Sequence, residues 1–264
     1  QTGAIGQSMD AFADRIYDET GGKYKIETYH NGQLGAEIDT IEGCQMGTID
    51  IAVVNQSTIG NFINNFQALD VPYLITSTEQ ADAVFLGDIG TRFLDKLSGV
   101  QLYGLGIWES GFRNLTNSKQ DVNSVDDVAG LKIRTMENSY HLAFWKAIGA
   151  NPTPMSFSEV YIGLQQHTID AQENPYEVIV SNNLYEQQDY VVETNHLPHL
   201  ISLIVNDDFF RDLPADEQEI MTEAAKIATE YAREQSDARI VDKIAKIEES
   251  GTKILTLDGQ IRAD

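Results

Sequence analysis

The hydrophobic period of this chain switches repeatedly between about 3.6 residues and 2, and that alternation restricts the folds open to it more than any other feature. Met9, Phe12, Ala13 and Ile16 recur on one helix face, and Gly21-Gly22 supplies a stop. Tyr24, Ile26 and Thr28 then alternate with Lys23, Lys25 and Glu27, which predicts a strand over 24–28, closed by a turn at Asn31-Gly32. A second helix is expected over 36–46, ending at Gly47, and the apolar run 49–54 reads as a buried strand. Helix and strand taking turns in this way predict a parallel sheet.

The pattern continues with helices near 78–86 and 90–97, strands over 101–108 and 130–134, and helices over 140–148 and 157–166. Ser156 and Glu159 have capping-box spacing at the start of the last of these, each side chain able to bond a free amide of the first turn. Strands near 169–172, 190–193 and 200–206 complete a second α/β set. From Ala215 onward, Ile220, Ala224, Ile227 and Tyr231, then Val241 and Ile244, suit one helix of about 30 residues, some 45 Å long and able to brace two lobes. Two helices with a kink near Gln235-Ser236 are the alternative. No repeat or flexible tether separates the two sets, so crossing strands are expected to join them.

Composition narrows the function. The 264 residues are 42% hydrophobic and 22% charged, as a soluble globular chain requires. No run approaches the roughly 18 apolar residues that span a bilayer, and no signal-like start is seen, so any targeting peptide is expected to have been removed. A net charge of -23 argues against nucleic acid or an anionic lipid surface as partner, since both need Lys and Arg to displace counterions. Screening over about 8 Å still lets one buried Arg govern its own pocket. Cys44 is the only cysteine and follows Ile38 and Ile41 at three-residue steps, which predicts an inert core thiol.

Enzyme signatures are missing: no phosphate-cradling Gly-rich loop, no nucleophile elbow, no H-E-x-x-H. His196 and His199 lack helical spacing because of Pro198, and no third metal ligand is evident, so neither a metal nor a cofactor is expected. Asp126-Asp127 and Asp207-Asp208 sit where helix starts are expected, where carboxylates suit the dipole. Between Phe93 and Phe210 the only arginines are Arg113 and Arg134. Arg134 closes a strand on the face opposite Leu131 and Ile133, at a carboxyl end where open α/β sheets bind ligands. Its planar fork matches a carboxylate, although a structural ion pair remains open for either Arg. Asn174, in Gln172-Glu173-Asn174-Pro175, either orients a ligand or caps the following helix.

Taken in order, Gly32-Gln33-Leu34-Gly35, Gly111-Phe112-Arg113, Gly130-Leu131-Lys132-Ile133-Arg134, Asn151-Pro152-Thr153-Pro154-Met155, Phe157-Ser158-Glu159 and Gln172-Glu173-Asn174-Pro175 resemble the substrate-binding component of tripartite ATP-independent periplasmic (TRAP) transporters, the DctP-like receptors. The resemblance spans nearly the whole chain. It implies an α/β fold: a two-lobed, periplasmic-binding-protein-like clamp, each lobe a mixed, mostly parallel sheet flanked by helices, with a long C-terminal helix spanning both. Lobe I would take 1–112 with part of 207–264, lobe II 113–206, and the spanning helix and C-terminal segment 207–264. It implies that Arg134 pairs with a ligand carboxylate, that Arg113 adds a second contact, that Asn174 fixes the carboxylate and that Phe157 walls the pocket. Cleft closure would strengthen the Arg contact by expelling water.

Departures refine this. Sialic-acid-binding members carry an acidic residue and an arginine after the strand that follows Asp50, where this chain has Asn55 and Thr58, so sialic acid is less favoured. Ala171 replaces a common glycine. The family's first strand is expected before Gln1 and a further stretch after Asp264. Asn55, Gln56 and Glu109, unless Gln56 and Glu109 are merely surface residues, add hydrogen-bonding capacity that favours a sugar acid, in particular a hexuronate such as glucuronate or galacturonate. The expected role is that of a monomeric, periplasmic or otherwise extracytoplasmic receptor that serves TRAP membrane subunits. Sialic acid or a C4-dicarboxylate as ligand, a sensor domain of a signalling protein, or a sugar-acid lyase or hydrolase are the alternatives.

Overall fold

A computed structural model of the chain describes residues 3–238 and 240–259. The first part of the chain forms α1 (Ala4–Glu19), α2 (Glu37–Gln45), β1 (Ile51–Asn55), α3 (Gln56–Ile59), α4 (Thr78–Phe85), α5 (Asp88–Asp95) and β2 (Leu102–Phe112). Then come β3 (Asn114–Asn117), β4 (Lys132–Thr135), α6 (Ser139–Ala147), β5 (Asn151–Pro154), α7 (Phe157–Gln165), β6 (Ala171–Asn174) and α8 (Tyr176–Ser181). The chain continues through β7 (Tyr190–Glu193), β8 (Pro198–Asn206), α9 (Asp207–Asp212), α10 (Ala215–Ala238), α11 (Ile240–Glu249) and β9 (Lys253–Thr256). None of the described helices is long and apolar enough to cross a membrane.

Two compact units result, one built from residues up to 66, 77–110 and 200–237, the other from 67–76, 111–199 and the chain from 238. The chain passes from one to the other inside β2 and inside β8. Whether α10 and α11 form one continuous rod turns on Arg239, which lies outside the described residues.

In the first unit the sheet order is β1-β8-β2, and β1 runs antiparallel to β8 with Val53 opposite Leu203. The parallel sheet expected from helix–strand alternation is therefore not what forms here, because β8 enters from the far end of the sequence and is free to run in either direction. All nine residues of β8 are buried. Period-2 geometry accounts for this: Ile201, Leu203 and Val205 pack with Phe12, Ile16, Trp108 and the Ala-rich face of α10, while Ile204 turns to Ile41, Cys44 and Phe66. A fully buried side chain of this size contributes about 1.5–3 kcal/mol. Residues 24–28 form no strand. Their alternation instead records Tyr24 and Ile26 packing against the same core with no partner strand alongside among the described residues.

The second unit carries the order β5-β4-β6-β3-β7-β9. β4 runs parallel to β5 and β6, β3 antiparallel to β6 and β7, and β7 parallel to β9. Leu115, Ile133, Trp145, Ala171 and Val192 fill one side, and Val160, Leu164, Ile179, Val191 and Ile247 the other. The start of α7 differs from the capping box expected there: Ser156 makes no side-chain cap, and its hydroxyl instead meets that of Ser158 at 2.8 Å. Asn138 does cap α6, its side chain accepting from the amides of Tyr140 and His141.

Candidate ligand-binding site

Strand β4 positions Arg134. Ile133 enters the core, so alternation sends Arg134 to the opposite face, where its backbone lies level with Thr153 of β5. The guanidinium Nε and Nη2 both donate to the Met155 carbonyl, at 2.9 and 2.8 Å, and the Phe157 ring lies 5.7 Å from Cζ. Arg134 is 3% exposed, Phe157 38%. A carbonyl and a ring face fix where a guanidinium points.

Arg113 is held differently. The antiparallel register that sets Asn114 against Asn174 brings Arg113 onto the end of β6. There Nε donates to Glu173 Oε2, Nη2 to Oε1 at 2.8 Å, to the Glu173 carbonyl at 2.7 Å and to Asn174 Oδ1 at 3.1 Å. Nη1 donates to His199 Nδ1 at 2.6 Å. Arginine has no acceptor, so this contact assigns His199 its neutral tautomer protonated on Nε2. His196 Nε2 reaches Glu173 Oε2 at 3.1 Å, and His141 bridges toward Asp70, 3.4 Å away, itself bound by Asn138 Nδ2 at 2.9 Å. The side chain of Asn174 continues the lattice by donating to Gln172 Oε1, and Gln172 donates to Thr116. Pro175, not Asn174, stands at the N-cap of α8, so the capping alternative for Asn174 falls away.

Burial and charge set the protonation states. Burial pushes the Glu173 carboxyl up, but the Arg113 guanidinium and the two imidazoles outweigh it and hold the group well below the usual carboxylate range. Burial lowers His199 well below its ordinary value, and the Arg113 charge adds to that. His196 is lowered by burial despite Glu173 beside it. His141 is also opposed by burial, yet the Asp70 and Glu173 carboxylates beside it raise it.

The first unit holds the remaining expected residues. Asn55 ends β1, and its backbone N and Nδ2 both donate to Glu37 Oε1, at 3.0 and 2.5 Å. Thr58 Oγ1 donates to Glu37 Oε2 at 2.7 Å. Gln56 donates through Nε2 to the Phe66 carbonyl at 2.8 Å, and its Oε1 is buried without a hydrogen-bond partner. An acceptor in that state costs about 1–3 kcal/mol. Gln56 and Glu109 are both buried, so neither is a surface residue.

The expected residues thus fall into two groups: Arg134, Arg113, Asn174 and Phe157 in the second unit, Asn55, Gln56 and Glu109 in the first. Sequence reasoning missed Glu37, His141, His196 and His199 as partners of these groups. Glu37 sits 18 residues from Asn55, and the histidines lie in α6, in the loop before β8 and in β8, so no spacing rule could have joined them.

A family described as DctP, bacterial extracellular solute-binding protein, family 7, matches residues 2–264. A solute-binding protein of Verminephrobacter eiseniae is 36% identical over 250 residues, covering 95% of this chain and 75% of its own. Among solved structures, the sugar acid binding protein DctPAm of Advenella mimigardefordensis, in complex with galactonate, is 32% identical with a TM-score of 0.96, covering 99% of this chain and 84% of that one. A TRAP periplasmic solute binding protein of Chromohalobacter salexigens with bound D-glucuronate is 30% identical, also with a TM-score of 0.96, covering 99% and 87%.

Proposed function

Because this chain belongs to the DctP family of bacterial extracellular solute-binding proteins, the receptors of TRAP transporters, we propose that it binds a sugar acid, first of all a hexuronate such as glucuronate or galacturonate. It acts as an extracytoplasmic monomer and delivers that ligand to TRAP membrane subunits.

The observation that supports this reading is the setting of Arg134, a buried guanidinium that donates through Nε and Nη2 to the Met155 carbonyl beside the Phe157 ring, at the carboxyl end of β4. A ligand carboxylate pairs with this guanidinium, whose planar fork suits a carboxylate. Arg113 and Asn174 add polar contacts, and Phe157 forms a wall. Galactonate and glucuronate in the two structural relatives support a polyhydroxy acid.

A thermal-shift screen followed by calorimetry tests it. Glucuronate or galacturonate at 100 times its Kd stabilises the protein by about 2.7 kcal/mol. The ligand is recovered unchanged, as befits a receptor. No shift with any uronate or aldonate overturns the reading, and catalytic conversion of the ligand overturns the receptor role.

A further inference from the structure

Asn31-Gly32 is the only Asn-Gly pair in the chain. Both residues are exposed, at φ of 56° and 71°, values that Asn and Gly adopt more readily than other residues. Gln33 donates its amide to the His30 carbonyl at 3.3 Å, which closes a two-residue turn, and Gly35 donates to the Gly32 carbonyl at 3.1 Å. The chain then enters α2 rather than a pairing strand, so no ladder grips the turn from both sides. Neither the Asn31 side chain nor the Gly32 amide has a hydrogen-bond partner among the described residues. A Cβ on residue 32 would shield that amide, and glycine has none.

The geometry points to Asn31 as a site of self-modification, at which the Gly32 nitrogen closes a ring on the Asn31 side chain and water reopens it. The Gly32 amide gives its proton to solvent base and bonds Asn31 Cγ. The bond from Cγ to Nδ2 breaks, and Nδ2 takes up a proton and leaves as ammonia. A cyclic imide results. Water that adds at Cγ yields aspartate and restores the ordinary peptide link. Water that adds at the backbone carbonyl carbon yields isoaspartate, whose main chain runs through Cβ and Cγ and is one atom longer. Neither route needs an oxidant or a reductant, and both add one negative charge to a chain already at -23. Aspartate keeps the turn, since Asp tolerates the left-handed region. Isoaspartate places its extra atom inside the loop that the bond from Gln33 to His30 closes, so that bond is lost.

Ageing of the purified wild type, folded in buffer and unfolded in urea, at neutral and at alkaline pH, tests this. A glutamyl endopeptidase releases the peptide 28–37, in which Asn31 is the only asparagine. Mass spectrometry follows the exchange of amide for carboxylate, and labelling by an isoaspartyl methyltransferase follows isoaspartate. In the folded protein the conversion is expected to run within about tenfold of its rate in urea, the factor for opening a single turn bond. It quickens as pH rises, because the attacking nitrogen must lose its proton. Asn138, buried and bound to Asp70, stays unchanged while the fold holds. Gly32→Ala, compared with wild type in urea so that its own folding does not matter, slows the conversion about tenfold or more, because the methyl group crowds the nitrogen. A folded rate further below the urea rate than about tenfold would show that the turn protects Asn31 and overturns the inference. Equal rates for Gly32→Ala and wild type in urea overturn it as well, since ring closure through the Gly32 nitrogen would then not be the route.

Discussion

Arg113 and Glu173 form a two-pronged ion pair, with Nη2 donating to Oε1 at 2.8 Å and Nε donating to Oε2, and both side chains are sealed from solvent. The pair gives Arg113 a role that differs from that of Arg134. Arg113 is neutralised inside the protein and donates to Asn174, and Arg134 donates to the Met155 carbonyl beside the Phe157 ring.

Arg134→Ala abolishes binding of the acid ligand. Removing one partner of a buried charge pair costs about 3 kcal/mol or more, which calorimetry reads as a loss of at least about a hundredfold. The circular dichroism spectrum stays that of the wild type, since Ile133 and not Arg134 belongs to the core. Unchanged affinity would remove Arg134 from the site.

Glu173→Gln destabilises the fold by about 3–5 kcal/mol in urea unfolding, because it leaves the Arg113 charge buried and unneutralised. A double variant, Arg113→Met with Glu173→Gln, recovers part of that loss. Equal stability of Glu173→Gln and wild type would show that the pair is dispensable.

Stability falls in acid in two stages. His196 and His199 have folded values below 6.5, so the unfolded chain binds more protons, and their contribution, complete above pH 6.5, is lost as pH drops toward their folded values. Glu173 contributes fully above about pH 4.5, and this is lost as pH falls further through its depressed folded value. His141 works the other way: raised above 6.5, its contribution is complete below that pH and lost on going alkaline. His199→Asn keeps an acceptor for Arg113 and removes one titration, so urea midpoints measured below pH 6.5 should vary less steeply with pH. An unaltered slope would remove His199 from the account.

Cys44 resists thiol reagents in the native state. It is fully buried among Ile41, Ala52 and Ile204, and burial pushes its thiol up to about 12, leaving almost no thiolate at neutral pH. A chromogenic disulfide reagent should label it only in denaturant, and labelling faster than unfolding would contradict its place in the core.

Much of this could be read from local pattern. Helix α7 and strand β7 stand close to where periodicity puts them, since 3.6-residue and 2-residue spacing depend on residues a few positions apart. The turns at Gly21-Gly22 and Asn31-Gly32 also follow from local chemistry, and all four residues adopt positive φ. Residues 24–28 misled because alternation reports one-sided burial, and a strand further needs a neighbour to bond. Ser156 misled because its hydroxyl found Ser158 before the amide three residues on.

By itself, the order of residues determined the α/β class, the family and the inert character of Cys44, since each depends on neighbours in sequence or on a motif read in order. Tertiary structure alone decided that β1 and β8 run antiparallel, that Arg113 is spoken for by Glu173, and that Glu37 takes the donors of Asn55 and Thr58. Glu173 lies 60 residues from Arg113, and hydrogen bonds and ion pairs act over a few ångströms of space whatever the separation along the chain.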